Sequence, residues 1–240
     1  MTTDVLQSKL DHLPGQPGCY LFRNAKREIL YVGKAAVLAD RVRSYFQRGS
    51  DQTPKTALLV NEIADLETIV TRSELEALIL ESNLIKRHRP RFNIVLRDDK
   101  QYPYLRLPIK ENFPRLSIVR RVQRDGALYY GPYTPAGALR ETLKVIRKAF
   151  PLATCEIDID GRADRACIEF EIKRCMAPCT GNQSRDEYHQ IVKQVRQFLE
   201  GRDRELLDSL REDMERAAER EAFEEAARLR DRLFSVERTL

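Results

Sequence analysis

The sequence predicts an α+β fold, and three features of its hydrophobic pattern indicate this class. Near the N-terminus, two short runs of strand-forming residues flank a polar turn and predict a β-hairpin. Further along, apolar residues at spacings of three and four positions predict helices. Residues 202–240 consist almost entirely of helix-favouring residues with a turn near Glu221, so they are expected to form a helical hairpin.

Local signals set the individual elements. Leu38, Val42 and Phe46 recur every four residues and form the apolar stripe of a helix that follows the hairpin. Ser73 and Glu76 have the spacing of a capping box, which predicts that a helix begins there. The predicted elements are strands at 19–23 and 28–32, helices at 35–47 and 54–64, a strand at 66–71, a helix from 73 to about 89, strands between 102 and 131, a helix at 135–150 and two helices after 202.

Charge is unevenly divided along the 240 residues. Residues 1–150 hold 26 Lys and Arg against 16 Asp and Glu, a net charge of +10, whereas residues 151–240 hold 16 against 21, a net charge of −5. A basic segment suits a polyanion such as DNA, because neutralising phosphates releases counterions. The acidic segment is expected to contact a protein.

The sequence also indicates a compartment. No stretch approaches the roughly 18 consecutive apolar residues that a transmembrane helix requires, and residues 1–15 lack the apolar core of a signal peptide. We therefore expect a cytoplasmic protein that does not contact a membrane. In that reducing compartment, the five cysteines are not expected to form a disulfide framework.

Two tyrosines of the hairpin are candidate functional residues. If residues 24–27 form a symmetric four-residue loop, Tyr20 lies directly opposite Tyr31. Strand aromatics of this kind either cover a core or take part in chemistry. On the following helix Arg41 and Tyr45 are four residues apart and share one face, which is either a solvated basic surface or part of an anion site.

Glu81 interrupts the apolar stripe of the helix that begins near residue 73. Its neighbours three and four positions away are Ala77, Leu78, Leu84 and Ile85. A buried carboxylate is costly unless it is protonated, paired with a cation or bound to a metal ion, so a salt bridge and a metal site are both open. The basic run at 86–93 follows it and is either a solvated face or a nucleic-acid surface.

Four cysteines lie close together in the second half of the chain. Cys155, Cys167, Cys175 and Cys179 have the spacing C-x11-C-x7-C-x3-C. Four thiolates suit either tetrahedral zinc or an iron–sulfur cluster. The absence of paired C-x2-C knuckles favours iron–sulfur, with zinc as the alternative. Cys19 is isolated in an apolar strand and is interpreted as a packing residue.

The motifs resemble those of the GIY-YIG nucleases. They are Pro17-Gly18-Cys19-Tyr20, Tyr31-Val32-Gly33-Lys34, Arg41-Val42-Arg43-Ser44-Tyr45-Phe46, Leu80-Glu81-Ser82-Asn83 and Arg89-Pro90-Arg91-Phe92-Asn93. With the four cysteines and the helical hairpin, the whole chain is similar to the N-terminal part of the UvrC family of bacterial nucleotide excision repair. Cys19 departs from the Ile or Val usual at this position of the motif.

The resemblance implies a fold and a reaction. The fold would be a three-stranded antiparallel sheet flanked by helices, which hydrolyses a DNA phosphodiester 3′ to a lesion with one divalent ion, Mg²⁺ or Mn²⁺. Glu81 would bind the metal, Tyr31 would be the general base and Tyr20 its companion phenol. The resemblance also gives supporting roles to Lys34, Arg41, Tyr45 and Asn93 at the reacting phosphate. The basic residues expected to contact DNA are Arg43, Lys86, Arg89 and Arg91.

The resemblance further implies three regions: a GIY-YIG endonuclease domain at 1–97, a linker and four-cysteine region carrying a [4Fe-4S] cluster at 98–201, and a UVR helical hairpin at 202–240 that binds UvrB. Phe223, Ala227 and Leu233 are its candidate partner contacts. Longer members of the family make the 5′ cut with a second nuclease domain, so 5′ incision is not expected from this chain. The competing hypothesis is a non-catalytic module that docks on DNA and on UvrB.

Overall fold

The computed structural model describes residues 4–47, 53–94, 103–133 and 136–238. It divides into two compact units, residues 1–100 and residues 101–240. Both units mix sheet and helix, which confirms the predicted α+β class. None of the helices among the described residues is long and apolar enough to cross a membrane.

The first unit is built on a three-stranded antiparallel sheet in the order β2-β1-β3. Helices cover it, and the core between them is formed largely by aromatic and leucine side chains, including Tyr20, Phe22 and Leu38. The elements are α1 Asp4–Asp11, β1 Gly18–Arg23, β2 Ile29–Ala35, α2 Leu38–Ser44, α3 Pro54–Glu62, β3 Asp65–Val70, α4 Glu74–His88 and α5 Arg91–Ile94.

The hairpin is confirmed, but its predicted register is wrong. Tyr20 pairs with Gly33, and the residue opposite Tyr31 is Phe22. Arg23 pairs with Ile29, so the loop has five residues instead of the predicted four, and the register shifts by one further residue between Phe22 and Arg23. The side chain of Asn24 accepts hydrogen bonds from the N–H groups of Lys26 and Glu28 and shapes this turn.

Helix α4 begins where the capping signal predicts. Ser73 accepts a hydrogen bond from the N–H of Glu76, which satisfies one of the free donors of the first turn. The carboxylate of Glu76 reaches one residue further back than in a full capping box and accepts from the N–H of Arg72. The helix ends at Arg89, which adopts a left-handed conformation with φ 45°.

The second unit contains a smaller antiparallel sheet in the order β5-β4-β6, followed by helices. Leu105 and Leu107 of the central strand are fully buried, and Tyr104 and Arg106 alternate with them on the other face. The elements are β4 Tyr104–Leu107, β5 Ser117–Val119, β6 Leu128–Tyr130, α6 Ala136–Ala149, α7 Ile168–Glu171, α8 Arg185–Leu199, α9 Asp203–Glu219 and α10 Phe223–Glu237.

The last two helices form the predicted hairpin. Glu221 lies between α9 and α10 with φ 59°, at the position where the sequence indicated a turn. Leu206, Leu210 and Val236 are completely buried, so this hairpin packs an apolar seam of its own. The confirmed elements place two sets of polar side chains, one in each unit.

Candidate active site

A close approach between Gly33 and Tyr20 organises the candidate site. A Cβ atom at Gly33 would lie 2.4 Å from Cζ and Oη of Tyr20 and 2.9 Å from Cε1 of Tyr31. Only a glycine leaves room for the Tyr20 ring to lie across β2 at this point. This role of Gly33 was not predicted, although a glycine inside a strand pattern is a signal of close approach.

Three phenols meet on this face of the sheet. The hydroxyls of Tyr20 and Tyr45 are 3.0 Å apart and hydrogen-bonded, and Tyr45 also hydrogen-bonds Tyr31. The rings of Tyr20 and Tyr31 are adjacent, with centroids 6.1 Å apart, in spite of the changed register. Tyr20 is 1% exposed, so the cluster joins the hydrophobic core on one side and polar groups on the other.

Arg41 brings a positive charge to the phenols. Its guanidinium carbon lies 5.2 Å from the centroid of the Tyr45 ring, and its side chain hydrogen-bonds Tyr20. Because Arg41 is exposed and lies one turn before Tyr45 on α2, its charge is available at the mouth of the cluster. The predicted shared face of Arg41 and Tyr45 is therefore present and directed at the hairpin tyrosines.

Glu81 lies beside the end of β2. Its Oε1 accepts a hydrogen bond of 3.1 Å from the backbone N–H of Lys34. Within the part of the chain that the structure describes, no cation forms a salt bridge with this carboxylate, so the salt-bridge alternative is not observed. Burial raises the pKa of Glu81 to about 7, and the charge and N–H of Lys34 offset only part of that effect.

The open edge of β2 explains why these groups converge. β2 is an edge strand, and the N–H groups of Val32 and Lys34 lie two residues apart on its free side. The Asn93 side chain closes the first position, accepting from Val32 N and donating to Val32 O at 2.8 Å each. Glu81 closes the second position. Asn93 thus acts as a short substitute for a fourth strand.

The phenols have pKa values above the ordinary tyrosine value. Burial is the main cause for Tyr20 and Tyr31, and the negative charge of the neighbouring phenolates adds to it. Arg41 acts in the opposite direction on both. A phenolate at this site therefore requires additional positive charge, which a cation next to Glu81 would supply.

The donor set at Glu81 fits a hard divalent cation. Mg²⁺ and Mn²⁺ prefer oxygen ligands, and Mg²⁺ sites often use one or two carboxylates with several waters. Glu81 offers a carboxylate whose second oxygen accepts no hydrogen bond from the described residues, and its raised pKa means that a cation would stabilise the charged form.

Cys19 occupies the layer behind this site. It is completely buried, and its Sγ donates a hydrogen bond of 3.1 Å to the carbonyl of Ala77 on α4. Burial raises the pKa of the thiol, followed by the charge of Glu81, so Cys19 remains protonated. The residue packs β1 against the helix that carries Glu81.

The residues predicted to contact DNA differ in their surroundings. Arg43 is turned to α1, where its guanidinium donates to the carbonyls of Leu10 and Asp11. Arg91 forms a salt bridge with Glu62 and stacks on Phe92. Lys86 and Arg89 lie in the last turn of α4 and at its end, and Arg89 is exposed.

The four clustered cysteines approach one another in the second unit. Cys175 and Cys179 are buried, Cys155 is partly buried and Cys167 is exposed. Burial raises the pKa of Cys175, and charges on the other three thiols raise it further, which places all four in one electrostatic neighbourhood. Among the described residues, however, no group of three or more Cys, His, Asp or Glu side chains is arranged closely enough to hold a metal ion.

The candidate partner contacts of the hairpin are unequally exposed. Phe223 is 68% exposed, Ala227 is partly buried, and Leu233 is only 6% exposed. Leu233 is therefore almost inaccessible to solvent, whereas Phe223 is open. Phe234, which is not among the predicted partner contacts, is 54% exposed.

The chain matches family models along most of its length, and the match to the first unit gives its class. A family model described as the UvrC-like GIY-YIG domain matches residues 16–94, which include the phenol cluster, Glu81 and Asn93. Two further models match the rest: the UvrC/Cho excinuclease middle domain at residues 102–198 and the UvrB/uvrC motif at residues 204–239. The chain belongs to the UvrC family.

Individual relatives agree with this assignment. The UvrABC system protein C of Moorella thermoacetica is 52% identical over 232 residues, which cover 97% of this chain and 38% of that protein. Its counterpart from Caldanaerobacter subterraneus is 46% identical over 236 residues, again 97% and 38%. This chain thus spans about two fifths of the length of the curated relatives it matches.

Solved structures are also similar. One is the GIY-YIG N-terminal endonuclease domain of UvrC from Thermotoga maritima bound to its catalytic divalent cation, magnesium. It is 41% identical in sequence, and the match covers 38% of this chain and 99% of that one with a TM-score of 0.35.

Proposed function

We propose that this chain is a metal-dependent endodeoxyribonuclease of nucleotide excision repair, which hydrolyses a phosphodiester 3′ to a lesion in a UvrB–DNA complex. The observation that carries the proposal is Glu81, a partly buried carboxylate with a pKa near 7 beside the phenol cluster. The UvrC family membership supports the repair pathway. Mg²⁺ or Mn²⁺ bound at Glu81 would supply a Lewis acid for charge that develops on the phosphate.

The chain's own residues would handle the proton. Tyr31 Oη accepts a proton from the attacking water as the new P–O bond forms and the bond to the 3′ oxygen breaks, and the departing 3′ alkoxide takes a proton from solvent water. The products are a 3′-hydroxyl and a 5′-phosphate. For this role Tyr31 must be a phenolate, and the charge of Arg41 favours that form against the effect of burial.

The remaining groups would hold the reactants in place. Tyr45 links Tyr20 and Tyr31 through its hydroxyl and fixes the direction of the proton acceptor. Arg41 and Lys34 would orient the phosphate, and Asn93 keeps the edge of β2 in position.

Incision of a lesion-bearing duplex loaded with UvrB tests this proposal. Wild type and Glu81→Gln are compared with Mg²⁺, and Glu74→Gln, an exposed glutamate in the first turn of the same helix, is the matched control. We expect cutting to be lost only in Glu81→Gln. Retained cutting by that variant would remove Glu81 as the ligand, and an inactive wild type would favour the non-catalytic adaptor.

For the second unit we propose a [4Fe-4S] cluster on Cys155, Cys167, Cys175 and Cys179, with zinc as the alternative. Support comes from the soft donor set and from the charges of the other three thiols, which raise the pKa of Cys175. Protein purified without oxygen should be brown and absorb near about 400 nm. Stoichiometric zinc without iron would overturn the assignment.

We further propose that α9 and α10 dock on UvrB, and that the three functional regions are residues 1–97, 98–201 and 202–240. The exposed rings of Phe223 and Phe234 support an apolar contact. Removing residues 202–240 should abolish UvrB-dependent cutting while leaving the spectrum of a folded first unit. Undiminished UvrB-dependent cutting would contradict this role.

A further inference from the structure

The small sheet of the second unit presents a polar face that the proposed reaction does not use. Its central strand β4 turns Leu105 and Leu107 to the core, so Arg106 lies on the outer face. Arg106 is flanked there by Ser117 of β5 and Tyr129 of β6, its partners in the ladder.

The carboxylate of Asp125 holds Arg106 and Tyr129 together at the centre of this face. The Tyr129 hydroxyl donates one hydrogen bond that is shared between the two carboxylate oxygens of Asp125, each 3.1 Å away, and Asp125 forms a salt bridge of 2.8 Å with Arg106. The N–H of Ala127 also donates to Asp125 and is the main cause of a lowered pKa for this carboxyl group. Asp125 therefore stays charged and holds Arg106 in one orientation.

Further cationic side chains lie around Asp125 and Arg106. Residues 120–126, which join β5 towards β6, are all exposed and carry three arginines. The side chain of Lys110 lies over Gly126 in the same connection, because a Cβ there would meet Lys110 Nζ at 2.6 Å. The group, called the basic sheet face below, consists of Arg106, Lys110, Arg120, Arg121 and Arg124.

The acidic residues between positions 103 and 133 do not neutralise the positive charge of this part of the chain. Residues 103–133 contain six Lys and Arg and two Asp and Glu, a net charge of +4. Both acids, Glu111 and Asp125, lie against Arg106, at 4.0 and 2.8 Å. Three exposed arginines on α9 and at its end, by contrast, face carboxylates: Arg211 pairs with Asp208 and Glu237, Arg216 with Asp213 and Arg220 with Glu225.

We propose that the basic sheet face binds the phosphodiester backbone of duplex DNA, as a second contact in addition to the nuclease site. Charge complementarity selects the partner, because a cationic surface of this kind gains affinity from released counterions. The two tyrosines of the face, Tyr104 and Tyr129, are only partly exposed, so they do not form an open platform for stacking single-stranded bases.

An exposed apolar residue among the arginines fits the same partner. Val122 is 57% exposed between Arg121 and Gln123. A side chain of this type can contact sugars at the edge of a groove while the neighbouring guanidinium groups bind phosphates. The proposal shares with the proposed function only the choice of DNA as substrate, and it can fail separately.

Binding of the full chain to an undamaged labelled duplex tests the proposal. Fluorescence anisotropy is recorded in EDTA, which prevents cutting, over a series of KCl concentrations. The test variant is Lys110→Ala/Arg120→Ala/Arg124→Ala. The control, Arg211→Ala/Arg216→Ala/Arg220→Ala, removes the same charge from arginines that already face carboxylates.

We expect the slope of log K against log [KCl] to become shallower by about 2 to 3 in the test variant, since each phosphate contact contributes about 0.9. The control should keep the wild-type slope. The test variant should lose affinity equally for two duplexes of unrelated sequence, because phosphate contacts do not depend on sequence. The variant Arg120→Lys/Arg124→Lys keeps the charge and should retain the slope, which separates lost contacts from lost folding.

Three outcomes would overturn the proposal. The test variant could keep the wild-type slope, or its slope could change no more than that of the control. Its affinity could also fall only for a single-stranded oligonucleotide and not for the duplex. Because these measurements contain no divalent cation, they do not depend on whether Glu81→Gln loses incision. A chain that cuts DNA but has an unchanged slope therefore rejects the basic sheet face alone.

Discussion

Gly33 and Tyr20 are in direct contact, and the phenol ring of Tyr20 occupies the space that a side chain at position 33 would need. A Cβ there would lie 2.4 Å from Tyr20 Oη, well inside contact distance, and its other neighbour is the ring of Tyr31. The glycine is thus a condition for the phenol cluster rather than a turn residue. This relationship joins the fold of the hairpin to the geometry of the candidate site.

Gly33→Ala should damage the fold and the site together. The added methyl must push the Tyr20 ring away from Tyr45, and overpacking of this kind costs about 1 to 3 kcal/mol. Urea unfolding measures the first effect and incision the second. Gly15→Ala is the control, because a Cβ at Gly15 meets nothing within 4 Å. Equal stability of the two variants would contradict the contact.

Glu81→Gln should change how stability depends on pH. The folded-state pKa of Glu81 is about 7 against an ordinary value of 4.5, so the folded protein favours the protonated form. Glu81 therefore contributes stability below pH 4.5, and that contribution is lost as the pH rises through 7. Above pH 7 and without metal, Glu81→Gln should be more stable than wild type by on the order of 3 kcal/mol, since each unit of pKa difference corresponds to about 1.4 kcal/mol.

In a thermal melt, a divalent cation should stabilise wild type relative to Glu81→Gln and so reverse their order of stability. Mg²⁺ binds the charged carboxylate and should raise the melting temperature of wild type at pH 8, but much less at pH 5.5, where the proton competes. Glu81→Gln should show no such increase at either pH. The same rise in the variant would place the cation elsewhere.

Tyr31→Phe and Tyr20→Phe should separate the proton acceptor from its neighbour. Tyr31→Phe keeps the ring but removes the acceptor, and loss of a general base lowers rates by about 10² to 10⁴. Tyr20→Phe removes one hydroxyl contact to Tyr45 and should cost less, about tenfold. Single-turnover incision distinguishes them. Equal losses would mean that the cluster acts as a unit without a single acceptor.

Asn93→Ala should open the edge of β2. The substitution leaves Val32 N–H and C=O without their side-chain partner, which costs about 1 to 3 kcal/mol when such groups are buried. Urea unfolding checks this value. Asn93→Asp keeps an acceptor for Val32 N–H but loses the donor, so its free energy of unfolding should lie between those of wild type and Asn93→Ala. A wild-type unfolding free energy for Asn93→Ala would contradict the edge-closing role.

The sequence was sufficient for much of this fold, for reasons visible in particular residues. Ser73 caps α4 through its own side chain, and Leu38 and Val42 are buried as their spacing predicts, because these signals act within one element. The predicted register of Tyr20 and Tyr31 was wrong by two residues, because the loop after Arg23 is one residue longer than assumed and the irregularity between Phe22 and Arg23 adds a second residue. The contacts of Lys34 N–H with Glu81 and of Val32 with Asn93 join elements distant in sequence, so no local pattern contains them.

Leu233 and Phe234 are adjacent on α10 but should respond oppositely to truncation. Leu233 is 6% exposed, and Leu→Ala at a buried site costs about 2 to 5 kcal/mol, so Leu233→Ala should lower the urea midpoint. Phe234 is 54% exposed, so Phe234→Ala should leave the midpoint almost unchanged but weaken UvrB-dependent incision. If Phe234→Ala cuts as well as wild type with limiting UvrB, that ring is not part of the docking surface. Because the two residues share a helix, an altered helix content cannot explain opposite effects.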